Sequence, residues 1–79
     1  MSGDGTYLRL EAVFADVFDR PVALAADTVL ADLDGWDSLL HITLFAAVEA
    51  EFGVRFTMKD AVVIRTAGAL ATRIAELGG

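Results

Sequence analysis

Apolar side chains recur at helical spacing in three stretches of this 79-residue chain, with turn and capping residues between them. That pattern leaves little besides a small bundle of helices for the chain to fold into. Tyr7, Leu10, Phe14, Val17 and Phe18 share one face of a helix predicted over about residues 6–18, with Thr6 or Asp4 as its cap. Arg20-Pro21 stops it, because proline disfavours the helical conformation at the residue before itself. Leu39, Ile42, Leu44, Phe45, Val48 and Phe52 cover well over half the circumference of a second helix over residues 38–52, which Gly53 ends. A helix this apolar is expected at the centre, packed on several sides. Leu70, Ile74 and Leu77 form the apolar face of a last helix, capped by Thr66 and ending near Leu77. A short helix is predicted over 58–63, with Thr57 as N-cap and Asp60 three residues on, in a capping-box-like pairing. Residues 61–64 also read as a strand, but no second strand signal is present to pair with them.

The predicted fold is therefore all-α: a four-helix bundle of three long helices and one short one, in a single domain spanning residues 1–79. Its core is expected to join Phe14, Leu44, Val48, Phe52, Leu70 and Ile74. The connection over residues 20–36 is long for so small a bundle, and such loops usually carry function. Val22, Leu24, Val29, Leu30 and Leu33 tuck it onto the core, and Asp27-Thr28 is placed to start a short helical turn. With 56% hydrophobic residues, the chain is not disordered by composition.

Several function classes are excluded early. The chain has no cysteine, so it has no disulfide framework, thiolate metal site or thiol nucleophile, and its single histidine cannot form a histidine-based metal site. No apolar stretch approaches the roughly 20 residues of a membrane span. Met1-Ser2-Gly3-Asp4-Gly5 is neither basic nor apolar, so no signal peptide is expected and the cytoplasm is the expected compartment. The net charge of −6 argues against nucleic acid, whose phosphates require a basic patch. That charge lies entirely in residues 1–37, because the remaining residues balance. Asp27, Asp32, Asp34 and Asp37 crowd one stretch without a base among them. A partner docking there is expected to be basic.

Two conventional sites fail on inspection. Ser38, His41 and Asp37 contain the residue types of a hydrolytic triad, but they lie within five positions, whereas triad members converge from separate elements. Read as a calcium loop from Asp32, the fourth position is Gly35, the fifth is Trp36 and the twelfth is Thr43, so the ligand register is wrong. The informative string is Gly35-Trp36-Asp37-Ser38-Leu39 at the start of the second helix. Asp37 is a good N-cap, which frees the Ser38 hydroxyl from capping. That hydroxyl then stands at the positive end of a helix, where a phosphate is stabilised by the dipole and by unpaired amides.

Over residues 6–77 the chain resembles the acyl carrier protein family, in which the serine of a Gly-x-Asp-Ser-Leu motif carries 4′-phosphopantetheine. The resemblance rests on Phe14, on the loop segment from Asp27 to Leu33, and on Gly35-Trp36-Asp37-Ser38-Leu39. It continues through Val48-Glu49-Ala50-Glu51-Phe52-Gly53-Val54 and ends in Thr66-Ala67-Gly68-Ala69-Leu70. It implies a four-helix bundle that is a carrier and not an enzyme. Phosphopantetheine from coenzyme A would be joined to Ser38, flanked by Asp37 and Leu39, and would hold acyl groups as thioesters. Implied partners are a phosphopantetheinyl transferase and acyl-loading and acyl-transferring enzymes, with no nucleic acid or membrane and the protein a monomer.

The pattern departs from that of fatty-acid carriers in two places. Leu33-Asp34-Gly35-Trp36 has one residue more before Asp37. Leu40, Thr43, Ala46 and Ala50 stand where acids or methionines are common on the second helix, leaving Glu49 and Glu51. Trp-Asp-Ser-Leu-x-His looks more like stand-alone carriers of polyketide or mixed polyketide–peptide pathways. The alternatives are a carrier of fatty-acid synthesis, or a helical adaptor with an unmodified Ser38. Partner contacts are expected from Trp36, Leu40, Asp32, Asp34 and Glu49. Trp36 is either such an anchor or folded onto Leu33 and Leu39, and His41 either bonds the phosphate or packs. The acyl chain would be shielded by Leu39, Leu44, Val63 and Ile64.

Overall fold

The computed structural model describes residues 2–79. Four helices follow in order: α1 (Ser2–Phe18), α2 (Ser38–Phe52), α3 (Met58–Val63) and α4 (Ala67–Glu76), with a 3-10 turn at Leu30–Asp32 inside the first loop. The described residues contain no strand, only one isolated bridge between Val29 and Thr66. The α1 helix starts earlier than the apolar pattern implies and runs through Gly3 and Gly5, so Thr6 and Asp4 lie inside it instead of capping it. The side chain of Asp4 falls outside the described part of the chain. At the other end α1 stops before Pro21 is reached. Asp19 turns left-handed at φ 58°, and the Arg20 amide closes back on the Ala15 carbonyl at 3.2 Å. Aspartate is among the few residues that take this conformation at modest cost.

All six predicted core residues are buried, and Leu10, Val13, Val22, Leu30, Phe45, Ile64 and Ala67 join them. The α1 helix packs against α2 and α4. The α2 helix is less enclosed than its composition suggests. Leu44, Phe45, Val48 and Phe52 are buried, but Leu39 is 73% exposed and Ile42 66% exposed. The reason is the number of neighbours: a six-residue α3 covers little of the outer face of α2.

The first loop follows the bundle through backbone bonds. Leu30 N donates to Arg65 O (2.9 Å), Ala67 N to Thr28 O (2.9 Å) and Gly68 N to Ala26 O (3.0 Å). The last two bonds use amides at the start of α4 that have no partner within the helix. The helical turn in this loop forms at Leu30–Asp32 and not at Asp27-Thr28. Thr28 instead accepts the Ala25 amide on its hydroxyl at 2.8 Å, a local side-chain bond that competes with helix. Residues 61–63 are helical and Ile64 is already extended, so the strand reading fails.

Candidate functional site

The mouth of α2 is built by a short sequence of local interactions. Gly35 turns the chain at φ 87°, and the Trp36 amide bonds Leu33 O at 3.1 Å. Asp37 is extended and caps the helix, with Oδ1 accepting the Leu40 amide at 2.8 Å. Ser38 is the first helical residue and is exposed, and its hydroxyl makes no hydrogen bond with the described residues. Asp37 takes the Leu40 amide, and the Ser38 and Leu39 amides of the same first turn have no partner within the helix. An exposed hydroxyl flanked by unpaired amides at a helix N-terminus suits a phosphoryl substituent sterically and electrostatically.

Behind the mouth, aromatic rings run from α1 to the loop before α3. Phe14 stacks on Phe18 (6.0 Å between centroids), which meets Trp36 at 6.4 Å. Trp36 meets His41 edge-on at 5.4 Å, His41 stacks on Phe45 at 4.6 Å, and Phe45 meets Phe56 at 5.3 Å. Trp36 is therefore half-buried, its ring against Phe18 and His41. His41 is a packing residue. Its Nε2 lies 3.0 Å from the Ala61 carbonyl, which only accepts, so Nε2 carries the proton and bridges α2 to α3.

The α2–α3 cleft is open on either side of that bridge. Toward the first loop lies a pocket of about 250 Å³ lined by Val29, Leu30, Trp36, His41, Val62 and Ile64. Toward the α2–α3 connection lies a second, also about 250 Å³, lined by His41, Ile42, Phe45, Phe56, Met58 and Ala61. Of the four residues expected to shield an acyl chain, only Leu44 and Ile64 are buried. Leu39 and Val63 project outward, because the helical turn carrying each has no neighbour on that side. Ile64 lines the loop-side pocket.

The expected partner residues have diverse surroundings. Asp32 and Asp34 are exposed and neither carboxylate forms an ion pair among the described residues; Arg20, set over the Phe18 ring, donates to the Asp34 backbone carbonyl at 3.0 Å. Leu40 is half-buried and does not face freely outward. Glu49 is also half-buried and accepts the Phe56 amide at 2.7 Å, which fixes the turn into α3. Glu51 pairs with Arg9 at 3.3 Å, and that guanidinium lies 4.2 Å over the Phe52 ring. Both acids of α2 are thus engaged within the chain. The exposed large apolar residues of α2 and α3 are Leu39, Ile42, Met58, Val62 and Val63.

Sequence reasoning missed the Asp60–Arg73 pair. The capping box of α3 forms as expected: Thr57 Oγ1 accepts the Asp60 amide, and Asp60 Oδ2 accepts the Thr57 amide at 2.9 Å. Asp60 Oδ1 also receives Arg73 Nε at 3.0 Å. The Thr57 amide and then Arg73 hold the Asp60 carboxyl below its ordinary value, against the opposing effect of burial. Arg73 is raised by its bonds to Glu76 and Asp60. Nothing local links residues 60 and 73, so only the packing of α4 against α3 reveals the pair.

A helical bundle presenting an unpartnered serine hydroxyl at a helix mouth has the form of a carrier domain. Residues 9–74 match the family described as the phosphopantetheine attachment site. The fold matches the solution NMR structure of a holo acyl carrier protein from Geobacter metallireducens, with TM-score 0.83 and 29% identity over 91% of this chain and 84% of that one. Among curated proteins, no sequence is a significant match. The chain belongs to the phosphopantetheine-binding acyl carrier protein family and carries that group covalently. Members of the family meet a phosphopantetheinyl transferase and biosynthetic enzymes, and they carry substrates without transforming them. No helix among the described residues is long and apolar enough to cross a membrane.

Proposed function

We propose that Ser38 is the attachment residue and that this carrier serves a polyketide or mixed polyketide–peptide pathway. The observation that carries the first part is the free, exposed Ser38 hydroxyl beside an Asp37 that does the capping. On a transferase, Ser38 Oγ attacks the phosphorus of coenzyme A that bears the pantetheine arm. A Ser38 O–P bond forms, the pyrophosphate P–O bond breaks, the adenosine bisphosphate leaves, and the serine proton passes to a base of the transferase. The arm's terminal thiol supplies the thioester chemistry. Asp37 holds the helix mouth open to the transferase, and the Ser38 and Leu39 amides stabilise the phosphodiester charge.

The pathway reading is supported by the outer face of α2. With Glu49 and Glu51 engaged internally, that face offers partners apolar surface instead of free acid. Partners would dock through Leu39 and Ile42, with Leu40 only at the margin, while Asp32 and Asp34 steer basic enzymes from the first loop. Trp36 supports this surface from behind, and Glu49 contributes by shaping the turn. Intact mass after incubation with coenzyme A and a broad-specificity transferase tests the site. The parent should gain one phosphopantetheinyl group, and Ser38→Ala should gain none while melting as the parent does. Modification of Ser38→Ala would overturn the assignment.

A further inference from the structure

We infer that His41 limits the length of acyl chain this carrier can cover. This rests on the Ser38 reading and extends it to the class of cargo, which is short-chain acyl groups. Ser38, His41, Ile42 and Phe45 follow one another along one stripe of α2. An arm rooted at Ser38 therefore reaches the α2–α3 cleft at the level of His41. There the imidazole lies across the cleft, stacked on Phe45 at 4.6 Å, held edge-on by Trp36 at 5.4 Å, and bonded to the Ala61 carbonyl of α3 at 3.0 Å. Both pockets of the cleft count His41 and Ala61 among their walls, so the bridge is the partition between them. Each pocket, at about 250 Å³, is smaller than the roughly 300–1,000 Å³ of an ordinary ligand site, whereas the two joined would fall inside that range. Beyond His41, Phe45 and Phe56 wall the second pocket, which a chain reaches only past the imidazole. A short acyl group fits the loop-side pocket against Leu30, Val62 and Ile64. A longer one buries only its first carbons there, and the rest of the chain stays outside in water.

The test loads the full chain with butyryl-, octanoyl- and dodecanoyl-phosphopantetheine, using the corresponding acyl coenzyme A and a broad-specificity transferase. Loading is checked by mass, and melting temperature and amide NMR shifts are then read. In the parent, the three forms should melt within about 1 °C of each other, since chain that stays in water adds no burial. Amide shifts should be confined to Val29, Leu30, Val62 and Ile64. In His41→Ala the octanoyl form should melt at least about 4 °C above the butyryl form. His41→Phe keeps a ring in the partition and should behave as the parent does, although it lacks the Ala61 bond. A parent that gains stability with chain length, or whose shifts spread past His41 to Phe45, Phe56 and Met58, overturns the inference. The parent readings decide this even if His41→Ala fails to fold. A parent whose mass does not change refutes the Ser38 assignment itself, and the inference with it.

Discussion

Gly68→Ala measures how closely the first loop rests on the start of α4. In an open helix interior this change stabilises by up to about 1 kcal/mol, because alanine is the better helix former. At Gly68 the new methyl carbon would stand 2.6 Å from the Ala26 carbonyl oxygen and 3.2 Å from its carbonyl carbon and Cα, whereas ordinary contact begins at 3.4 Å. The obstacle is backbone, so no side-chain rotation relieves it and the loop must lift. The bonds at risk are Gly68 N to Ala26 O and its neighbour, Ala67 N to Thr28 O. Each contributes about 1 kcal/mol net, and the overpacking itself costs about 1–3 kcal/mol. Set against the helix gain, the loss of one or both bonds should leave a net destabilisation of about 1–4 kcal/mol. In a domain of this size each kcal/mol lowers the melting temperature by about 4–8 °C. A thermal melt followed by circular dichroism should therefore show Gly68→Ala at least about 4 °C below the parent. A melting temperature equal to or above that of the parent would refute the close approach of loop and helix.

Asp60 provides a pH prediction with a defined sign. Its carboxyl is held below its ordinary value by the Thr57 amide and Arg73. Its stabilisation is thus fully present above the unfolded value of about 3.9 and is lost as the pH falls through the lower native one. Melts between neutral pH and about pH 3 should show the parent losing stability more steeply than Asp60→Asn at the acid end; parallel curves would sink this account of the α3 cap. Changing Asp32 and Asp34 together to Asn should slow association with the transferase in stopped-flow measurements and flatten its dependence on salt, with little change in dissociation rate. An unchanged association rate would remove the loop from the docking surface.

The parts of this structure legible in the sequence are those decided within a few residues. Asp37 and Gly53 bracket α2 as their chemistry requires, and Thr57 with Asp60 forms the capping box of α3. The start of α1 was not legible, because Gly3 and Gly5 carry a helix-breaking cost that the chain nonetheless accepts. The exposure of Leu39 and Ile42 was hidden for another reason. Periodicity counts apolar residues, but burial depends on whether a neighbouring element is there to cover them. The roles of Glu49 and His41 depend on the Phe56 amide and the Ala61 carbonyl, backbone groups that a sequence pattern does not advertise. At the proposed site, the motif singled out Ser38 and Asp37, while the partition of the cleft emerged only from the packing of α2 against α3.

Trp36 is the single tryptophan of the chain, and it lies two residues from Ser38 with its indole against the His41 ring. The molecule therefore contains a native fluorophore at the wall of its own cleft. Red-edge excitation addresses that indole without Tyr7, the only tyrosine, which sits on α1. Its emission maximum reports how wet the loop-side pocket is, and its intensity reports contact with the imidazole. Entry of an acyl group into the loop-side pocket would change that environment and could be followed in real time on unlabelled protein.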